Sequence, residues 1–163
     1  MKIDVSKIIK VDGAFLDIDF NEMLEGVETI SEDFIFDRPV SFKGLMVNSS
    51  GVLKLKGVMS IGYTARCGRC LKEIPLRMEV DIAEEFKEKA EDDGEGYYYE
   101  GNSVILDKAL KDNIILNLPV RVVCSRDCKG ICPSCGINLN EKNCSCREES
   151  IDIRMEALKR FFE

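Results

Sequence analysis

The chain has no histidine, and that absence removes several kinds of chemistry at once. Without an imidazole there is no Cys-His or Ser-His pair to activate a nucleophile. A catalytic zinc, which often uses His and keeps one position open for water, is not expected either. The sequence also lacks a P-loop and a Rossmann glycine fingerprint, so nothing nominates an enzyme or a site for a small-molecule substrate. Long apolar runs are missing too. Ile114-Ile115-Leu116 is typical of the longest, far below the roughly 20 residues of a membrane-spanning helix. The first residues, Met1 to Lys7, mix charges with isolated apolar side chains and contain no apolar signal core. The expectation is a cytoplasmic protein that does not associate with membranes, and no internal repeat is evident beyond recurring cysteine pairs.

What is present in excess is cysteine, eight in 163 residues. In a reducing compartment thiols stay open, so that number points to metal rather than to structural disulfides. Acid is also in excess, with a formal charge of -7, which argues against nonspecific binding to phosphates. The acid is local. Between Glu79 and Glu100 ten acids face only Lys87 and Lys89, and outside that segment the chain is close to neutral. A solvated strand face running into a loop is the favoured reading, and an acidic contact surface for a basic partner is the alternative.

The hydrophobic pattern has period two over much of the chain. Leu53, Leu55, Met59, Ile61, Tyr63 and Ala65 alternate with polar residues, as do Ile74, Leu76, Met78, Val80, Ile82 and Phe86. Two long antiparallel strands joined near Gly68 are predicted. Val40, Phe42 and Met46, followed by the turn cluster Asn48-Ser49-Ser50-Gly51, add a third strand to a meander. Leu16, Ile18, Phe20, Phe34 and Phe36 hint at further short strands. Residues 88–103 carry the charge and glycine content of a flexible acidic loop. Asp107 reads as a helix N-cap, with Leu110, Ile114 and Leu118 on one face until Pro119. A second helix is read from Ile153, Ala157, Leu158, Phe161 and Phe162, capped by Ser150 or Asp152 and packed on the core. The expected fold is α+β: an antiparallel sheet core, meandering and possibly barrel-like, with two principal helices and a cysteine-rich zinc-binding carboxy-terminal segment. Residues 1–119 would form the β-rich domain and 120–163 the zinc-binding segment with its helix.

The cysteines fall into pairs: Cys67 and Cys70, Cys124 and Cys128, Cys132 and Cys135, Cys144 and Cys146. A CxxC turn brings two thiolates to one metal with backbone N–H groups facing them, and zinc takes four such ligands. In Cys132-Pro133-Ser134-Cys135-Gly136 the glycine can supply the positive φ the turn needs. Cys144 and Cys146 would complete that tetrahedron, leaving Cys67, Cys70, Cys124 and Cys128 for a second. Spacing also permits the two CxxC turns to share one metal, with Cys124, Cys128, Cys144 and Cys146 on the other. A single site at Cys132, Cys135, Cys144 and Cys146 is a simpler case. Ligand arithmetic favours two structural Zn2+ sites over one. Arg121, Arg126, Lys129, Lys142 and Arg147 outnumber Asp127 and Glu141 around the cluster. They suit a modest nucleic-acid contact, but balancing the -2 charge of each tetrathiolate zinc suffices to explain them. A thioredoxin-like reading of Cys67-Gly68-Arg69-Cys70 is disfavoured because the motif lies between two strands, with no helix N-terminus to activate a thiol.

The run from Val123 through Cys124, Cys128, Cys132-Pro133-Ser134-Cys135-Gly136 and Asn140 to Cys144-Ser145-Cys146 resembles the carboxy-terminal signature of the bacterial YceD family. Cys67-Gly68-Arg69-Cys70 after a long strand, Leu116-Asn117-Leu118-Pro119, and the closing Ile153 to Lys159 fit the same pattern. The similarity covers roughly Asp37 to the end. Ile153 departs from it, standing where many relatives read Asp-Pro-Arg. The resemblance implies a non-enzymatic role in accumulation of large-subunit ribosomal RNA or in ribosome assembly. It also implies ribosomal RNA, a basic ribosomal protein or a pre-ribosomal particle as partner. A generic zinc-ribbon protein-interaction module is the alternative, and a CxxC thiol oxidoreductase a more distant one.

Overall fold

A computed structural model describes residues 1–27, 33–89 and 96–146. Eight strands precede or flank one helix: β1 (Lys2–Asp4), β2 (Phe15–Glu22), β3 (Phe34–Ile35), β4 (Val40–Ser49), β5 (Val52–Arg66), β6 (Glu73–Glu88), β7 (Tyr97–Glu100), β8 (Ser103–Ile105) and α1 (Asp107–Asn117). They form one sheet in the order β1-β8-β7-β6-β5-β4-β2, with β3 continuing the β4 side of β5. All pairings are antiparallel except β6 with β7.

The long hairpin follows from the alternation in sequence. Leu53, Leu55, Met59, Ile61, Tyr63 and Ala65 of β5 are buried, as are Val80, Ile82 and Phe86 of β6, while their polar neighbours face out. At the β4–β5 end, Ser50 and Gly51 both take positive φ (54° and 86°), the two-residue turn whose twist matches the strands it joins. The sheet curls into a half-barrel. Gly44 of β4 lies opposite Gly57 of β5, and a Cβ on either would stand 2.7 Å from the Phe42 ring. Phe42 therefore folds over two bare backbones where the sheet bends, as glycine pairs allow.

The α+β expectation with two principal helices is corrected. Strand makes up 47% and helix 8% of the structure, with one helix among the described residues. Short strands at one margin of the sheet, β1, β8 and β7, account for part of the difference, because pairing of neighbouring backbones decided what their weak local patterns could not. The stretch 88–103, read as a loop, contributes β7 and the start of β8. The helix predicted around Ile153 to Phe162 lies outside the described residues. Asp107 is not the cap of α1 but its first residue, after Leu106. Its carboxylate instead receives the Met1 amino group. Leu110 and Ile114 are buried against the sheet as their spacing predicts. No helix among the described residues is long and apolar enough to cross a membrane.

One polar side chain fastens the opposite end of the hairpin from the cysteines. Buried Asn48 donates to the carbonyls of Ile8 (2.8 Å), Ile9 (2.9 Å) and Val11 (3.2 Å) and accepts from the Gly51 N–H (2.9 Å). The segment between β1 and β2, which has no ladder of its own, is thereby satisfied.

Candidate metal centres

The β5–β6 reversal is a CxxC knuckle. The Cys67 N–H donates to the Lys72 carbonyl (2.8 Å) and the Leu71 N–H to the Cys67 carbonyl (2.9 Å). The second knuckle repeats this pattern, Cys132 N–H to Ile137 O and Gly136 N–H to Cys132 O, both 2.9 Å. In each, the residue after the second cysteine takes a left-handed φ: Gly136 at 72°, as its position in the motif predicts, and Leu71 at 61°. The second knuckle forms the tip of a small hairpin, with Ile131 bridging Asn138 and the Leu139 N–H on the Gly130 carbonyl.

The eight thiols gather into two groups of four, Cys67, Cys70, Cys124 and Cys128, and Cys132, Cys135, Cys144 and Cys146, with all sulfurs in each group within 4.8 Å of one another. Cys67 Sγ lies 3.9 Å from Cys128 Sγ and Cys70 Sγ 3.6 Å from Cys124 Sγ. In the second group Cys144 Sγ is 3.5 Å from Cys135 Sγ and 3.4 Å from Cys132 Sγ. A tetrahedron with metal–sulfur bonds of about 2.3 Å sets its corners roughly 3.8 Å apart. The spacing fits a tetrathiolate metal site and is far beyond the roughly 2 Å of a disulfide; every cysteine is free. The geometry thus groups the thiols in one of the pairings that spacing had left open.

The donor set asks for a cation. Burial pushes the Cys67 thiol up, but amide N–H groups of Cys70, Arg69 and Cys124 outweigh it and bring it down to about 6. The Cys132 thiol falls to about 6 through the N–H groups of Cys135 and Ser134 and the thiol of Cys144. Their partners move oppositely: Cys124 is pushed up to about 12 by Cys128 and Cys70 beside it, and Cys146 to about 12 by Cys144 and Cys135. Four sulfurs at one point cannot all ionise against each other, and a divalent cation removes that conflict.

Several supporting contacts carry no mark in the cysteine spacing. The Arg69 guanidinium donates to the carbonyls of Arg126 (3.2 Å) and Cys128 (2.9 Å). Asn140 accepts from the Lys129 N–H (2.9 Å) and donates to Cys128 Sγ (3.3 Å). The Ile131 N–H reaches the Arg69 carbonyl (3.1 Å), and a Cβ on Gly130 would stand 3.1 Å from the same oxygen. Asn140 thus belongs to the second hairpin but serves a ligand of the first group, a role that only a long-range contact could reveal. Of the basic residues expected nearby, Arg121 lies over Gly68, and Arg147 is outside the described residues.

The profile of the family described as "Large ribosomal RNA subunit accumulation protein YceD" matches residues 55–162. That range includes both thiol groups. An uncharacterized Mycobacterium tuberculosis protein is 30% identical over 160 residues, covering 93% of this chain and 65% of its own length. A chloroplastic Arabidopsis thaliana protein named "Large ribosomal RNA subunit accumulation protein YCED homolog 1" is 26% identical over 153 residues, covering 74% of this chain. Its Zea mays counterpart is 25% identical over 135 residues and 62% of the chain. The chain spans 48% and 46% of the length of these plant relatives. No solved structure matches it.

Proposed function

The chain belongs to the YceD family, and from that membership we propose that it is a non-enzymatic, cytoplasmic factor in the accumulation of large-subunit ribosomal RNA, built around two structural zinc ions. The single observation that carries the ribosomal reading is the profile match over residues 55–162, which takes in the long hairpin, α1 and both thiol groups. Under this reading Cys67, Cys70, Cys124 and Cys128 hold one zinc, and Cys132, Cys135, Cys144 and Cys146 the other. The chemistry the metal supplies is cross-linking: four thiolates close its shell and leave no position for water. The partner is ribosomal RNA, a basic ribosomal protein or a pre-ribosomal particle.

Depletion of the protein tests the ribosomal role. A deficit of large-subunit RNA relative to small-subunit RNA, with the protein sedimenting among precursor particles, is the expected outcome; unchanged ratios and absence from those particles refute it. Elemental analysis of reduced, unchelated protein tests the metal. A zinc content near two per chain is expected, and a value near one removes the two-site reading.

A further inference from the structure

β6 has one side without a neighbour for most of its length. β5 pairs with Glu73–Phe86, whereas β7 meets only Phe86–Glu88. Among the described residues no other backbone hydrogen bond reaches Glu73–Ala83. Hydrogen-bond parity fixes which groups face the open side. Ser49 and Val52 flank the two-residue turn and so form a hydrogen-bonded pair. Alternation from that pair, through registers without a bulge, turns the odd-numbered residues of β6 away from β5. Pro75, which has no N–H to lose, falls on that outward row. Lys89, of the same parity, sends its N–H to Tyr99 O on the β7 side. The N–H and C=O groups of Arg77, Glu79, Asp81 and Ala83 are therefore directed at the open edge.

We propose that the free edge of β6, from Pro75 to Ala83, is a docking site for an extended basic protein segment that adds to the sheet as a further strand. The two faces of the edge define the chemistry of that segment. On the outer face Glu79 and Asp81 stand between Glu73 and Glu85; Glu85 is held by Lys54 (3.1 Å) and Glu79 meets Arg77 (3.6 Å), which also donates to Ser60 Oγ (2.8 Å). Asp81 has no ion-pair partner among the described residues. On the inner face Ile74, Leu76 and Met78 are only half-buried, although they continue the core row of Val80 and Ile82. An added strand with basic side chains outward and apolar side chains inward, at period two, would neutralise the first row and cover the second.

Pro75 and the outward charges guard this edge against indiscriminate pairing, yet its inner row from Ile74 to Ile82 is apolar and its register unbroken, so a strand of matching charge and pattern can still add. In an antiparallel pairing of β6 with itself, a register centred on Val80 sets Glu79 against Asp81, whereas one centred on Met78 sets Arg77 against Glu79; a second copy would leave Asp81 without a cation in both, which a basic segment supplies. β2 is the sheet's other long edge. Its outward row, Phe15, Asp17, Asp19 and Asn21, has two acids, of which Asp19 is already held by Lys43 at 3.1 Å. The inference needs neither the metal nor the ribosomal reading; a basic ribosomal protein is one carrier of such a segment.

The probe is a labelled short peptide alternating lysine and valine, titrated by fluorescence anisotropy into the full chain. Residue-resolved amide exchange is then measured on the complex. Binding should slow exchange at Arg77, Glu79, Asp81 and Ala83 and leave Phe15–Asn21 unchanged. Glu79→Pro removes an edge N–H without touching the β5 ladder, and should weaken binding about tenfold or more, the size of one lost backbone hydrogen bond. Asp81→Lys should weaken it as well. The same peptide N-methylated on alternate residues should not bind. Equal binding by a glutamate–valine peptide, protection at β2 instead of β6, or unaltered affinity in both variants would overturn the proposal. So would concentration-dependent self-association that protects β6, which gives the edge to a second copy.

Discussion

The two thiol groups use the same knuckle for opposite purposes. The first gathers cysteines 54 to 61 residues apart in sequence, three of them buried, and ties the tip of the β5–β6 hairpin to the chain that leaves α1. The second gathers cysteines 9 to 12 residues apart, and Cys135 and Cys146 are exposed. Closing a long loop removes more chain entropy than closing a short one, and the first group also sits on the sheet, with Ile74 packed against it. One knuckle is therefore a fastening of the whole fold, and the other organises its own hairpin, which touches the first group through Asn140 and Ile131. Local hydrogen bonding cannot tell them apart; what differs is the sequence distance to the remaining two ligands.

Loss of one ligand from each group breaks that comparison most directly. A structural zinc site supplies on the order of 10 kcal/mol to the folding of its segment. Cys67→Ser should cost a large share of that to the sheet itself, lowering the thermal midpoint of the far-ultraviolet β signal and reducing amide protection along β5 and β6. Cys132→Ser should leave the midpoint of the sheet nearly unchanged and free the amides of residues 130–146. Equal global loss in both variants would mean that the two groups form one cooperative unit.

What could be read in advance follows the same division between local and distant. The knuckle at Cys132-Pro133-Ser134-Cys135-Gly136, the positive φ of Gly136 and the buried rows of β5 and β6 are consequences of neighbours within a few residues, and they were legible. The grouping of Cys67 and Cys70 with Cys124 and Cys128 was one of several arithmetical possibilities, because it depends on where α1 ends and how the chain returns. Asn48 read only as part of a turn; its three carbonyl partners lie about 40 residues upstream. The short strands at one margin of the sheet were weak or invisible for the same reason, since a three-residue strand exists only by virtue of its partner. The α+β expectation rested on α1 together with a second helical pattern from Ile153 to Phe162, which lies outside the described residues, whereas strand takes up 47% of the structure and helix 8%.

Asn140 is where the two groups communicate, and it offers a second, smaller test. Its amide donates to Cys128 Sγ while its carbonyl oxygen holds the Lys129 N–H. A neutral donor to a ligating thiolate typically carries a factor of about 10–100 in metal affinity. Asn140→Ala should speed metal release to a colorimetric chelator from the first group, although Asn140 lies in the hairpin of the second. If the faster release came from Cys132, Cys135, Cys144 and Cys146 instead, the contact to Cys128 would be incidental and the groups would be independent.

The smallest expected effects come from the position after the second cysteine, where one knuckle has leucine and the other glycine. Gly136 and Leu71 adopt the same left-handed conformation. For any residue with a Cβ this conformation costs roughly 1–2 kcal/mol relative to the right-handed one. Nothing lies within 4 Å of a Cβ placed on Gly136, so Gly136→Ala should express that backbone term alone, about 1 kcal/mol of lost stability. Leu71 already bears the strain with its side chain 61% exposed, so its replacement by glycine relieves the backbone while giving up little packing. The added freedom of glycine in the unfolded chain offsets part of the relief, leaving Leu71→Gly a net gain of about 0.5 kcal/mol. Chemical denaturation of the metal-loaded protein resolves the two signs. A loss on Leu71→Gly would mean that the exposed leucine makes contacts worth more than its backbone strain, giving the first knuckle a use for this side chain beyond shaping the turn.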